Sequence, residues 1–214
     1  MSRIVQAILL SFIAISNSYS QLVFIGDGSR TSENCAEITP DANNQKGWVY
    51  NPSKVDLSVD QDFSYNINLG SNDANGADGM VFMLHNDPRG IGAQGCVGEA
   101  MGYGSHPSGL FSEQCGFGQW SAIQPSIAVE FDTWQNRNQG DPAADHVALI
   151  ENGSVNHGNS YVSISNIEDG LEHEFIFNWN ASTNQLSVSL DGITLISQTR
   201  DIVNEIFGGE NMVY

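Results

Sequence analysis

Val129-Glu130-Phe131-Asp132-Thr133-Trp134-Gln135-Asn136, followed by Asp141 and His146, gathers the residues of this chain best suited to chemistry. Glu130, Asp132, Trp134 and Asn136 alternate. In an extended segment successive side chains face opposite ways, so these four share one side. Asp141 and His146 then arrive from the next loop. Ionised carboxylates only accept hydrogen bonds, so several aimed at one point repel unless a cation neutralises them. Carboxylate and amide oxygens suit a hard cation such as Ca2+, and the imidazole admits Mn2+ or a similar ion. Asp132 and Asp141 could bridge two ions, with Asn136 and the Trp134 carbonyl at one and Glu130 and His146 at the other. In the competing reading Glu130 and Asp132 face solvent on an edge strand, Asp141-Pro142 opens a loop, and His146 is an ordinary strand-end histidine.

The elements that must position these groups carry the periodicity of strands almost throughout. Phe63, Tyr65, Ile67 and Leu69 alternate with polar residues, as do Phe175, Phe177 and Trp179, and then Leu186, Val188 and Leu190. Met80 to Leu84 and Ile127 to Phe131 are continuous apolar runs, which predicts strands buried on both faces. Asp191-Gly192 is a hairpin turn signal. One short helix is expected around Asp201 to Phe207, ended by Gly208-Gly209. Short strands with Gly- and Asn-rich turns predict an all-β, antiparallel sandwich in a single domain. Two loops, Ser71 to Gly79 and Gly90 to Gly118, are too polar or too long to be mere connections, and such loops usually carry function. Val213 and Tyr214 read as the start of a further buried strand, so the chain reads as truncated there.

The first 20 residues have the pattern of a secretory leader: Arg3, an apolar run from Ile4 to Ile15, and small residues at Ser18 and Ser20. That run is shorter than the roughly 20 residues a membrane span needs. Residues 21–214 are then the mature domain, placed outside the cell or on its surface. The net charge of -18 argues against nucleic acid and anionic membranes as partners and favours cations. Charged residues make up only 15% of the chain, so the acidity is not that of a disordered tail. Of Cys35, Cys96 and Cys115, the last two flank the Gly-rich loop and are the expected disulfide.

Ala77-Asp78-Gly79, Val129-Glu130-Phe131-Asp132-Thr133, Asn136, Asp141-Pro142 and Asp145-His146 together resemble the legume-type (L-type) lectin family, and within it the secreted bacterial branch. The resemblance runs from about Gln21 to the end. It implies a concanavalin-like jelly-roll sandwich of a flat back sheet and a curved front sheet, and a non-catalytic protein whose partners are glycans. It matches Glu130, Asp132, Asp141 and His146 to the transition-metal ligands, and Asp132, the Trp134 carbonyl, Asn136 and Asp141 to the calcium ligands. Asp78 matches the sugar-binding aspartate, which follows a cis peptide bond after Ala77. Asn136 matches an amide shared by calcium and sugar, and Trp134 an aromatic that stacks on the sugar. The chemistry agrees: a carboxylate accepts two hydroxyl hydrogen bonds, an amide donates one, and an indole covers the C–H face of a pyranose. The chain departs from the family just before Ala100-Met101-Gly102. There the family has a sugar-binding glycine and this sequence has Glu99 preceded by Gly98, so either of these residues takes the role.

Two other functions compete. Glu130-Phe131-Asp132 resembles the opening of the Glu-x-Asp-x-x-Glu strand of secreted glycoside hydrolases or lyases. The residue where the second carboxylate would stand is Gln135, which can be neither nucleophile nor acid. His85 and His106 read as polar surface residues rather than bases. The third reading is an adhesive module of a larger surface protein.

Overall fold

The computed structural model describes residues 22–105, 115 and 121–214. The expected leader and His106 lie outside the described residues. The strands are β1 (Val23–Gly26), β2 (Ser29–Ser32), β3 (Cys35–Glu37), β4 (Gly47–Tyr50), β5 (Val55–Asp56), β6 (Gln61–Ile67), β7 (Gly79–His85), β8 (Ser126–Asp132), β9 (His146–Glu151), β10 (Tyr161–Ser163), β11 (His173–Asn180), β12 (Gln185–Leu190), β13 (Ile193–Thr199) and β14 (Met212–Val213). Two four-stranded antiparallel sheets dominate, in the orders β10-β9-β8-β7 and β13-β12-β11-β6. Smaller pairs β1-β4, β2-β3 and β5-β14 complete the described residues. This is the expected all-β sandwich.

The alternation seen in the sequence becomes the sandwich core. Ile127, Val129 and Phe131 of β8 join Phe175, Phe177 and Trp179 of β11 and Leu186, Val188 and Leu190 of β12 in one buried cluster. Phe131 meets Phe175 edge-on at a centroid distance of 5.1 Å, and Phe82 meets Phe177 at 5.3 Å. Such aromatic pairs add to the stabilisation from area burial. Asp191 and Gly192 both take positive φ (49° and 75°), as the tight β12–β13 hairpin requires. Asp201 caps the short helix α1 (Ile202–Glu205), its carboxylate accepting from the Asn204 N–H at 3.1 Å. Gly208 and Gly209 follow it with positive φ.

Every residue of β8 is buried, as its apolar run predicts, because both of its faces are covered. The face away from the sandwich lies under loops. There Ala128 of β8 and Ala148 and Ile150 of β9 form a second cluster with Ala93, Tyr103, Ile123 and Val155. The other continuous run behaves differently. Met80 to Met83 of β7 are only half-buried, because β7 ends the order of its sheet. His85, expected at the surface, closes β7 with 0% exposure, between the rings of Tyr50 and Tyr214. Met212 and Val213 pair with β5, and Tyr214 exchanges two backbone hydrogen bonds with His85 at 2.8 and 2.9 Å.

The loop from Ala93 to Ser105 is held from both sides. Trp48 Nε1 donates to the Gly102 carbonyl at 2.7 Å, and the Tyr50 hydroxyl donates to that of Ala93 at 2.5 Å. Tyr103 and Ser126 share a buried hydroxyl–hydroxyl bond of 2.7 Å. Cys96 and Cys115 form the expected disulfide, while Cys35 is free and exposed. Among the described residues no helix is long and apolar enough to cross a membrane.

Candidate metal centre and adjoining pocket

Glu130 and Asp132 point away from the sandwich core, on the same face of β8 as Ala128. In register, Glu130 stands opposite Ala148 and Asp132 opposite His146, the first residue of β9. The small Ala148 leaves room beside Glu130, and the loops above exclude water. Glu130 is 0% exposed, and neither carboxylate oxygen has a hydrogen-bond partner. An ionised carboxylate in that state costs several kcal/mol, so a proton or a cation must compensate it. Burial raises the Glu130 carboxyl far above the ordinary carboxylate range, and the charges of Asp132 and Asp141 raise it further. Asp132 is raised in the same way by burial, partly offset by its bond to the Trp134 N–H.

Two groups of ligand atoms converge here, each within 4.8 Å: Glu130 with His146 and His157, and Asp132 with Asp141 and His146. All five residues are buried. His146 Nε2 lies 3.9 Å from Glu130 Oε1 and 3.9 Å from Asp132 Oδ2. His157 Nε2 lies 3.5 Å from Glu130 Oε1 and 3.3 Å from Asp141 Oδ1. Among the described residues, Glu130, Asp132 and Asp141 form ion pairs only with these two histidines. Burial lowers the His146 pKa, and His157 beside it lowers it further, so His146 favours the neutral imidazole that a metal ligand needs.

Past Asp132 the geometry departs from the extended reading. The strand stops, and Asp132 Oδ1 accepts from the Trp134 N–H at 2.8 Å, folding the chain into a turn. Strand alternation therefore sets Glu130 and Asp132 but not Trp134 and Asn136. The loop is built around Asp141 instead. Asp141 Oδ2 accepts from the Asn136 N–H at 2.7 Å, and the Asp141 carbonyl accepts from Gln135 Nε2 at 3.2 Å. Asp132 and Asp141 each keep their other oxygen for the centre. Gln135 is exposed on this turn, away from any strand. Trp134 is 42% exposed, so its indole is free to meet a ligand.

Asp78 joins this wall through backbone contacts. The Ala77–Asp78 bond is cis, as the resemblance implies, and the Asp78 carbonyl accepts from the Thr133 N–H at 3.0 Å. The next residue, Gly79, pairs with Asp132 across β7 and β8. Gly79 has a φ of 146°, and a Cβ there would collide with the Phe131 carbonyl oxygen. Burial raises the Asp78 pKa to about 6, with Glu99 and Asp141 adding to the rise. Glu99, on the opposite loop, lies near enough for its charge to act on Asp78. It sits in the 3-10 turn Gly98–Ala100, and Asn138 Nδ2 of the Asp132–Asp141 loop donates to Glu99 Oε2 at 2.9 Å. Asp78, Glu99 and the Asp132–Asp141 loop are therefore brought to one place.

His157 is the residue that sequence reading missed. It lies in the Gly- and Asn-rich stretch between β9 and β10, eleven residues from His146, with no local pattern to single it out. Its position depends on Gly153 and Val155, which pack the loop under Ala122 and onto the Ala148–Ile150 cluster. The signal available was a lone histidine in a polar loop, which is not specific.

The residues fit a metal pair. Carboxylates without a lysine or arginine partner, a doubly unsatisfied Glu130 and neutral imidazole nitrogen suit a transition ion, and the Asp132–Asp141 loop supplies oxygens for a hard cation.

Comparison with known proteins agrees with this fold. A family model described as the legume lectin beta-barrel domain matches residues 13–214. Peanut lectin with a nonapeptide is similar in fold, with a TM-score of 0.63 and 22% identity over 94% of this chain and 84% of that one. Winged bean acidic lectin complexed with methyl-α-D-galactose gives 0.65 and 21% over 92% and 82%. The Bauhinia forficata lectin complexed with GalNAc gives 0.66 and 18% over 92% and 85%.

Proposed function

The chain belongs to the legume lectin family, and we propose that it is a metal-dependent, non-catalytic lectin whose glycan site is formed by Asp78, Trp134, Asn136 and the Gly98–Glu99 backbone. Lectins of this family bind carbohydrate without turning it over and generally hold Ca2+ and a transition ion. In this chain Glu130, Asp132, Asp141 and His146 would hold the transition ion. Asp132, Asn136, Asp141 and the Trp134 carbonyl would hold Ca2+. The ions would neutralise the carboxylates and fix the loop. Asp78 would accept hydrogen bonds from two sugar hydroxyls, Asn136 would donate one, and Trp134 would cover an apolar sugar face. Fixing these groups beforehand reduces the ordering cost of binding. Removal of residues 1–20 and a place outside the cell or on its surface, as in the secreted bacterial branch, fit this reading.

The observation that carries the proposal is the hydrogen bond from the Thr133 N–H to the Asp78 carbonyl, which ties the sugar carboxylate to the metal loop. Galactose and GalNAc in the similar plant lectins support glycans as the ligand class. The test is a glycan array on the protein with Ca2+ and Mn2+, repeated in EDTA and with Asp78→Asn. Binding should vanish in EDTA, return when the ions are restored, and be lost in Asp78→Asn at unchanged thermal stability. Binding that survives both treatments would refute the assignment.

A further inference from the structure

We propose that His157 is a direct fifth protein ligand of the transition-metal site, making it a two-histidine, three-carboxylate centre that prefers nitrogen-seeking ions such as Co2+, Ni2+ or Zn2+ to Mn2+. This rests on the metal reading above and extends it to the identity of the ion.

The two imidazoles argue for it first. His146 Nε2 and His157 Nε2 face each other at 3.0 Å in a buried space. His157 Nδ1 lies 3.1 Å from the Gly158 carbonyl, which can only accept, so that nitrogen carries the ring proton. That leaves the His157 Nε2 atom as a lone pair directed at His146 Nε2. A lone pair on each Nε2, both directed at one shared cation, accounts for their 3.0 Å approach. Nitrogens each about 2.1 Å from one ion and at right angles to each other would stand about 3.0 Å apart, the separation seen here.

The carboxylates argue for it second. Glu130 Oε1 lies 3.5 Å from His157 Nε2 and 3.9 Å from His146 Nε2, and Asp141 Oδ1 lies 3.3 Å from His157 Nε2. About 3.0 Å separates neighbouring ligands of an octahedral ion with such bond lengths, and about 4.2 Å separates opposite ones. All three distances fall between these values. His157 and His146 therefore frame the same point as Glu130 and Asp141, rather than a separate one. Each added imidazole shifts a site away from Mn2+, which favours oxygen, towards ions later in the first-row series.

The test uses the full chain stripped of metal and then loaded with Co2+. Each ligating imidazole keeps its Nδ1–H, so each should give one strongly shifted, exchangeable proton resonance. Two such resonances are expected in the wild type and one in His157→Ser. Competition titrations should show Co2+ bound at least about tenfold more tightly than Mn2+. His157→Ser should weaken Co2+ by more than the roughly 10–100-fold that loss of an outer-shell partner costs, and leave Ca2+ affinity unchanged. One shifted resonance in the wild type, or equal Co2+ affinity in the variant, overturns the role of His157 while the lectin reading stands. A wild type that takes up no transition ion removes the metal reading itself, and this proposal with it. If His157→Ser does not fold, the resonance count in the wild type decides alone.

Discussion

The two faces of β8 carry opposite kinds of order. Ile127, Val129 and Phe131 look into the sandwich and are satisfied by contact alone, Phe131 standing 5.1 Å from Phe175. Ala128, Glu130 and Asp132 look the other way, into loops that bury them just as fully, yet Glu130 has no hydrogen-bond partner for either oxygen. One face is finished when the chain folds; the other keeps a buried carboxylate without a hydrogen-bond partner. Burial by itself therefore does not mark a structural residue. What marks the functional face is burial without satisfaction.

The largest effect should come from the finished face. Phe131→Ala should cost about 3–5 kcal/mol in denaturant unfolding, equally with and without EDTA, because that core owes nothing to the ions. A loss that depends on EDTA would mean that the two faces are energetically one.

His85 offers the next test, as a buried polar group on the neighbouring strand and outside the metal centre. Burial lowers its pKa from 6.5 to about 4. Between those values the unfolded chain binds a proton that the folded chain refuses. Its contribution is thus complete above pH 6.5 and is lost as pH falls through about 4. The loss should reach up to about 3 kcal/mol, and His85→Phe should flatten that part of the stability profile. An unchanged profile in the variant would remove His85 as its source.

The ions themselves should stabilise the unfinished face by about 2.7 kcal/mol at a hundredfold excess over Kd, read as a rise in Tm when they are added to metal-free protein. The smallest change sharpens the contrast most. In EDTA, Glu130→Leu should be within about 1 kcal/mol of the wild type or above it, since it removes an unsatisfied buried carboxylate of similar volume. It should also abolish the gain from transition ions. A Glu130→Leu protein badly destabilised in EDTA would mean that the carboxylate is structural after all.

Much of this was legible in the residues. The alternation of Phe175, Phe177 and Trp179 placed a strand and its inward face, and Asp191-Gly192 placed its hairpin turn. The acidic pair and the spacing to Asp141 and His146 singled out groups that the structure brings together. The extended reading failed past Asp132, where a side-chain acceptor captured the Trp134 N–H and ended the strand. It failed for Met80 to Met83 because an apolar run cannot report whether its strand is central or at the edge of a sheet. His85 was misplaced because a histidine at a strand end is buried or exposed according to what crosses it, here Tyr50 and Tyr214.

The sequence alone determined which groups could act and on which side of β8 they stand, because strand periodicity and residue chemistry are local properties. Only the tertiary structure decided that Glu130 would be left without hydrogen-bond partners, that Asp78 and Glu99 would lie beside the Asp132–Asp141 loop, and that His157 would face His146. Those are contacts between segments tens of residues apart or folded back over a sheet. They follow from how the loops close over β8 and β9, which no local pattern encodes.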